Sequence, residues 1–217
     1  MKLVVQLILW VVIVFLGYLT FNAVYAPIQF NKVKEARYKK VIERLKDIRK
    51  AELAHKEVTG EFAPTFDRLV KFIDTAKFTI TERRDTTYLD EEYKKSYGVD
   101  KYKGDVVIDT IGFVSVKDSL FKGTNRYKEL KYVPTTNKEE EFQIGARKIK
   151  KNNTAMPVFE VKVAKEVILK DQDKDLVAQE KQIVSVEEVN GPYIQVGSLN
   201  EVNTSGNWPK VYGDNDK

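Results

Sequence analysis

Leu3 to Ala26 contains no charged residue, and this run restricts the possible folds more than any other feature. A helix rises about 1.5 Å per residue, so a run of this length crosses a hydrocarbon core of roughly 30 Å. A signal-peptide apolar region is shorter, usually about 7–15 residues. The polar members, Gln6, Thr20 and Asn22, are uncharged and lie mostly near the ends. The expectation is a single membrane-spanning helix that contacts lipid through residues 3–26. Val24-Tyr25-Ala26 has the look of a signal-peptidase site. Pro27, with its fixed φ and missing N–H, is nevertheless a poor first residue for a cleaved chain. It is expected to break or kink the helix, as a hinge below an anchor.

Past Ala26 the chain changes character. The 217-residue chain carries 37 Lys+Arg against 32 Asp+Glu, a net charge of +5, with the two signs interleaved. A nucleic-acid platform needs clustered cations to displace counterions from phosphates. The densest basic stretch, Lys32 to Lys50, is interrupted by Glu35, Glu43 and Asp47, so no nucleic-acid partner is expected. There are no cysteines, which excludes disulfides, thiolate metal sites and cysteine nucleophiles.

From about Asn31 to Val58 a helical period takes over. Tyr38, Val41, Leu45 and Ile48 alternate at three- and four-residue steps. Extending the heptad puts Glu52 and His55 on the same seam. Two readings are open: a helix packed on its own domain, or a coiled-coil stalk whose stripe contacts a partner. Gly60 supplies a stop and Thr65 a cap for a short second helix bearing Phe66, Leu69, Val70 and Ile73. Beyond Ala76 the period changes to two. Strands are expected in "KFTITERR", "DVVIDTIGFVSV", "PVFEVKVAKEVIL", "QIVSVEEV" and "PYIQVGSL", the last two joined by an Asn190-Gly191 turn, with a short helix over Leu89 to Tyr97.

The expected class is α+β: a transmembrane helix, a long amphipathic stalk helix, then a mostly antiparallel sheet domain. The expected divisions are 1–30 as anchor, 31–76 as stalk and second helix, 77–199 as strand-rich domain and 200–217 as irregular tail. Trp208 and Tyr212 in that tail are candidate surface aromatics, although Trp208 before Pro209 is also suited to docking on the domain.

No catalytic set is visible, and no cofactor or metal is expected. Asp171, Asp173 and Asp175 begin like a calcium loop, but Leu176 stands where glycine is required and Gln182 where a bidentate Glu is required. One histidine, His55, cannot make a multi-histidine metal site. A glycoside hydrolase needs only two carboxylates, but the candidates Glu139, Glu140, Glu141 and Asp109 lie in charge runs or strands that offer no specific pattern. A weaker motif recurs at Asp74-Thr75-Ala76, Asp85-Thr86-Thr87, Asp109-Thr110-Ile111 and Asp118-Ser119-Leu120. It resembles the acceptor motif of a periplasmic O-glycosylation system of some Gram-negative bacteria, which would make Thr75, Thr86, Thr110 and Ser119 acceptors.

The apolar helix, its amphipathic continuation, and Ala51, Ala54, Gly60, Phe62, Pro64, Phe66 and Leu69 together resemble the N-terminal third of pilins and pseudopilins. The chain lacks the prepilin Gly-Phe-Thr-Leu-x-Glu processing motif. It looks equally like single-span envelope proteins of Gram-negative bacteria. The resemblance implies a non-enzymatic subunit or scaffold of a larger membrane assembly, secretion- or pilus-related, with other subunits or its own copies as partners. The alternatives are a module binding an envelope polymer or small ligand and, third, a carbohydrate-active enzyme. The basic residues after the run favour a cytoplasmic domain by the positive-inside rule. Long domains translocate largely regardless of charge, and the Val24-Tyr25-Ala26 pattern and strand content favour an inner-membrane anchor with a periplasmic domain.

Overall fold

A computed structural model describes residues 2–151 and 153–213, apart from the side chain of Asn22. The end of the expected tail, 214–217, lies outside the described residues. The class is α+β, with one long helix and two antiparallel sheets of two and three strands. The chain divides into two compact units, Met1–Leu69 with Lys128–Lys217, and Val70–Tyr127. The strand-rich stretch expected as one domain over 77–199 is therefore shared between two units.

The first unit is organised by α1, Lys2–Thr59. Pro27 lies inside it and the helix continues without interruption, which corrects the expected break. A proline removes only one i to i−4 hydrogen bond from the ladder, and the remaining bonds carry the helix past it. The helix stops at Gly60, whose φ of 81° lets its N–H reach the Lys56 carbonyl at 2.8 Å. His55 locks this corner: its Nδ1 lies 2.5 Å from the Glu61 carbonyl and 3.0 Å from the Thr59 hydroxyl. The unit's sheet orders β3 (Gln143–Lys151), β4 (Thr154–Ala164) and β5 (Tyr193–Gly197) with β4 central. Phe159, Val161 and Val163 of β4 and Ile194 and Val196 of β5 are buried. The other inward elements are the short helices α5 (Lys165–Ile168) and α6 (Lys174–Lys181). Residues 182–189, expected as a strand, form turns and irregular backbone. Gly191 accordingly ends no hairpin; its N–H bonds back to the Ile183 carbonyl.

The second unit takes in the end of α2 (Phe66–Thr75), whose N-terminus is capped by the Thr65 hydroxyl through the Arg68 N–H. Its main feature is a ribbon of β1 (Lys77–Leu89) and β2 (Tyr102–Ser115), joined through α3 (Glu91–Tyr97) and followed by α4 (Val116–Phe121). The α3 helix is capped by Asp90, which accepts the Tyr93 N–H, and ends on Gly98 at φ 71°. Phe72, Ile73, Val116, Phe121 and Tyr127 are buried in this unit, whereas both ribbon strands are almost wholly exposed.

Candidate functional site

Two features of α1 carry the functional argument: an apolar half that no described residue covers and a cluster of buried charges just below it. From residue 2 to 21, and again at residues 23–25, every position is exposed. Burial begins across Ala26 to Phe30, and Phe30 is buried. One helix in the described chain is therefore long and apolar enough to cross a membrane, and none of its most apolar stretch is buried. A soluble helix turns its apolar stripe to a core; this half is apolar on every side and none of the described residues covers it.

Below Phe30 the same helix forms the core of the first unit. Tyr38, Val41, Leu45 and Ile48 are fully buried. The expected partner-contact stripe is thus covered by the chain's own fold and offers no coiled-coil face, which is the packing alternative drawn from the sequence. Glu52 and His55, on the same seam, are buried with it.

The charge cluster gathers residues far apart in sequence. Glu180 of α6 is 2% exposed. Its Oε2 accepts from Lys34 Nζ at 3.0 Å, and its Oε1 accepts from Lys165 Nζ at 2.9 Å and from the Tyr38 hydroxyl at 3.1 Å. Lys34 also reaches Glu188 Oε2 at 3.0 Å. Lys165 is fully buried and completes its donors on the carbonyls of Glu180 and Val189, each at 2.7 Å. Two ammoniums and two carboxylates cancel, which is the condition for burying charge at tolerable cost. Burial opposes the charge on Lys34, but Glu180 and Glu188 outweigh it and raise its pKa. For Lys165 burial prevails over Glu180 and lowers it. Burial, reinforced by Glu180, drives the Tyr38 hydroxyl far above its ordinary value, so it stays a donor.

Further polar contacts tie α1 to the C-terminal half. Arg37 binds Asp171 with two nitrogens, Nη2 to Oδ2 at 2.7 Å, and donates to the Ile168 carbonyl at 2.8 Å. Asp173 caps α6 through the N–H groups of Asp175 and Leu176. The carboxylates of Asp171 and Asp173 are occupied by these structural duties. Among the described residues, no three His, Cys, Asp or Glu side chains are grouped to hold a metal ion.

The tail packs inward. Trp208 is 1% exposed, which corrects its assignment as a surface aromatic. Its ring lies over Gly206, where an added Cβ would come within 2.3 Å of it. Tyr212 is half-buried, 6.4 Å from the Tyr38 ring between centroids, and its hydroxyl is pushed up to about 12 by burial and nearby carboxylates. It borders an open cleft of about 1110 Å³ with Lys32, Lys34, Glu35, Lys39 and Glu188. Trp208→Ala is expected to destabilise the first unit by about 3–5 kcal/mol, as other deletions of buried large aromatics do. Urea unfolding read by tryptophan-independent circular dichroism checks this. A cost near zero would place the ring in solvent.

At the far end of α1, Glu52 is fully buried. Its Oε2 accepts the Ala63 N–H at 2.8 Å and its Oε1 has no partner among the described residues. Burial pushes this carboxyl up from the ordinary 4.5 to about 8, partly offset by the Ala63 bond. A raised folded-state pKa means the native state holds a proton that the unfolded chain has lost. Stability from this group is therefore complete below about pH 4.5 and declines until about pH 8. Its slope is at most about 1.4 kcal/mol per pH unit. Glu52→Gln is expected to remove that slope in melts recorded from pH 5 to 9, and an unchanged slope would assign it elsewhere.

The four candidate acceptors Thr75, Thr86, Thr110 and Ser119 are all exposed in the second unit. Thr75 donates its hydroxyl to the Lys71 carbonyl at 2.8 Å. Missed from the sequence were Lys34, Lys165, Glu180 and Glu188. No protein-family model, curated protein or solved structure matches the chain.

Proposed function

We propose that this protein is a non-enzymatic, membrane-anchored subunit or scaffold of a larger membrane assembly, with the first half of α1 in lipid and the remainder as the framework of its domain. The observation that supports this reading is the change of character along one unbroken helix. The helix is apolar and uncovered to residue 25, then buried and pinned by ion pairs from Phe30 onward. A domain pinned so close to the apolar half moves with it, which suits a part whose position is its contribution. The pilin-like resemblance rests on the same bipartite helix. The test is native electrophoresis and lysine cross-linking of the full chain in mild detergent. Species above the monomer, or captured partner subunits, are expected. A lone monomer that retrieves nothing contradicts the reading.

A periplasmic domain is the favoured orientation. Four exposed Asp-Thr or Asp-Ser sites, all in one unit, favour it over a cytoplasmic domain. A reporter fused after Lys217 is expected to be active as a phosphatase. Bright cytosolic fluorescence from the equivalent fluorescent-protein fusion would reverse the orientation.

A further inference from the structure

The two edges of the β1–β2 ribbon differ in chemistry. Isolated two-stranded ribbons are marginal in water, and an open edge recruits another strand unless charge, proline or a bulge blocks it. On β1 the midpoint is blocked by four successive charges, Glu82, Arg83, Arg84 and Asp85, which pair among themselves at 3.6–3.7 Å. Directly across, β2 presents Asp109, Ile108, Val107 and Val106, an apolar run of three bounded by one charge. Its outer edge has no strand partner among the described residues, it contains no proline, and Tyr102 and Ile108 are each 65% exposed.

We propose that this edge is a self-association surface: β2 pairs antiparallel with β2 of a second copy, about a two-fold axis at Val106, to make a four-stranded sheet. The register is set by symmetry and charge. A two-fold axis normal to a sheet keeps every residue on its own face, and faces alternate with period two. Some residue must therefore meet itself. An axis at Asp105 sets that carboxylate against its own copy, and an axis at Val107 sets Asp105 against Asp109. Like charges directly opposite are destabilising. An axis at Gly104 overlaps the strand only over 102–106. An axis at Ile108 faces Lys103 with Phe113 and runs through Ile111, the bulged residue left unpaired in the ribbon.

With the axis at Val106, residues 102–110 overlap and Lys103 faces Asp109 of the second copy twice over. Within its own chain Lys103 holds Asp90 at 2.9 Å, and Asp109 holds Arg84. The register thus lengthens each pair, of which Asp90 alone is buried, into a string of alternating sign. Exposed pairs contribute little energy and act here to fix the register. Cohesion comes from about eight to ten main-chain hydrogen bonds, paired by the two-fold axis, and from the contact of Val106 with its counterpart; the Val106 N–H, which donates to Asp105 Oδ1 at 2.8 Å within its own chain, exchanges that bond on pairing. The second copy is the favoured occupant because the edge is complementary to itself. The pairing uses the ribbon alone and does not depend on whether α1 enters a membrane.

The cysteine-free sequence makes the test direct. Full-length chains carrying Gly104→Cys, Val106→Cys or Ile108→Cys are oxidised separately in detergent and resolved on non-reducing gels. A Cβ at Gly104 meets nothing within 4 Å. In the proposed register Val106→Cys forms a disulfide dimer at least about tenfold faster than the other two, whose own copies lie beyond the roughly 7 Å reach of a disulfide. Mixing Gly104→Cys with Ile108→Cys chains restores cross-linking, since these positions face each other. Adding Val106→Lys to both mixed chains abolishes it by setting two ammoniums together on the axis. That lysine lies opposite Asp85 across the ribbon, so the ribbon itself is retained, as circular dichroism checks. Equal rates at all three positions, no dimer at 106, or cross-linking that survives Val106→Lys would overturn the proposal. Association through α1 alone gives the first or third of these outcomes.

Discussion

Glu180→Ala is expected to destabilise the first unit by about 3–5 kcal/mol, the cost of removing one partner from a buried ion pair. The size reflects what is left behind. Lys165 would keep two carbonyls but lose the Oε1 acceptor at 2.9 Å, the Tyr38 hydroxyl would lose its acceptor at 3.1 Å, and Lys34 would retain only Glu188. Equilibrium urea unfolding measures the effect as a lower midpoint at unchanged slope. A companion variant separates charge from shape: Lys165→Met combined with Glu180→Leu removes both members of the innermost pair. It is expected to cost less than Glu180→Ala, because no ammonium is left in the core without its carboxylate at the innermost position, while the Tyr38 hydroxyl and the Glu180 and Val189 carbonyls still lose their partners. If Glu180→Ala cost under about 1 kcal/mol, the cluster would not be what pins α1 to the C-terminal half.

The second large effect concerns the uncovered half of α1. Val12→Arg with Phe15→Arg adds two charges near the middle of the run, each costing about 2.5–3.5 kcal/mol in a membrane-inserted helix. Both side chains are exposed, 46% and 59%, so nothing in the first unit depends on them. The double variant is expected to shift the chain from the membrane to the soluble fraction without altering the melting temperature of the domain. Retention in the membrane, or a lowered melting temperature, would mean that these residues have a packing role.

The long helix is readable from the sequence because its two halves obey different rules: no charge as far as Ala26, then a 3.6-residue period. Pro27 misleads because a local rule weighs one missing hydrogen bond, whereas the helix is held by the many on either side of it. β4 and β5 are readable from alternation. β3 is not, because Gln143–Lys151 is rich in Lys and Arg and owes its conformation to pairing with β4 along its whole length. Residues 182–189 have the composition of a strand, yet their backbone serves the buried charges: Glu188 reaches Lys34, and the Val189 carbonyl reaches Lys165.

The buried charges themselves leave a trace. Lys34 stands one turn before Tyr38 on the buried stripe. Lys165 continues the inward alternation of Phe159, Val161 and Val163. Glu180 lies three residues after the buried Val177 on the same face of α6. Each is a charged residue in a core register, a conflict that signals a buried partner. Their mutual contact spans up to 154 positions, and no local pattern encodes a pairing of that separation.

The central claim, that one continuous helix anchors this domain in a bilayer, is tested most directly by alkaline carbonate extraction of membranes carrying the full chain. The chain is predicted to remain in the membrane pellet, with the Val12→Arg/Phe15→Arg variant in the supernatant. Release of the unmodified chain into the supernatant with its domain still folded would contradict it.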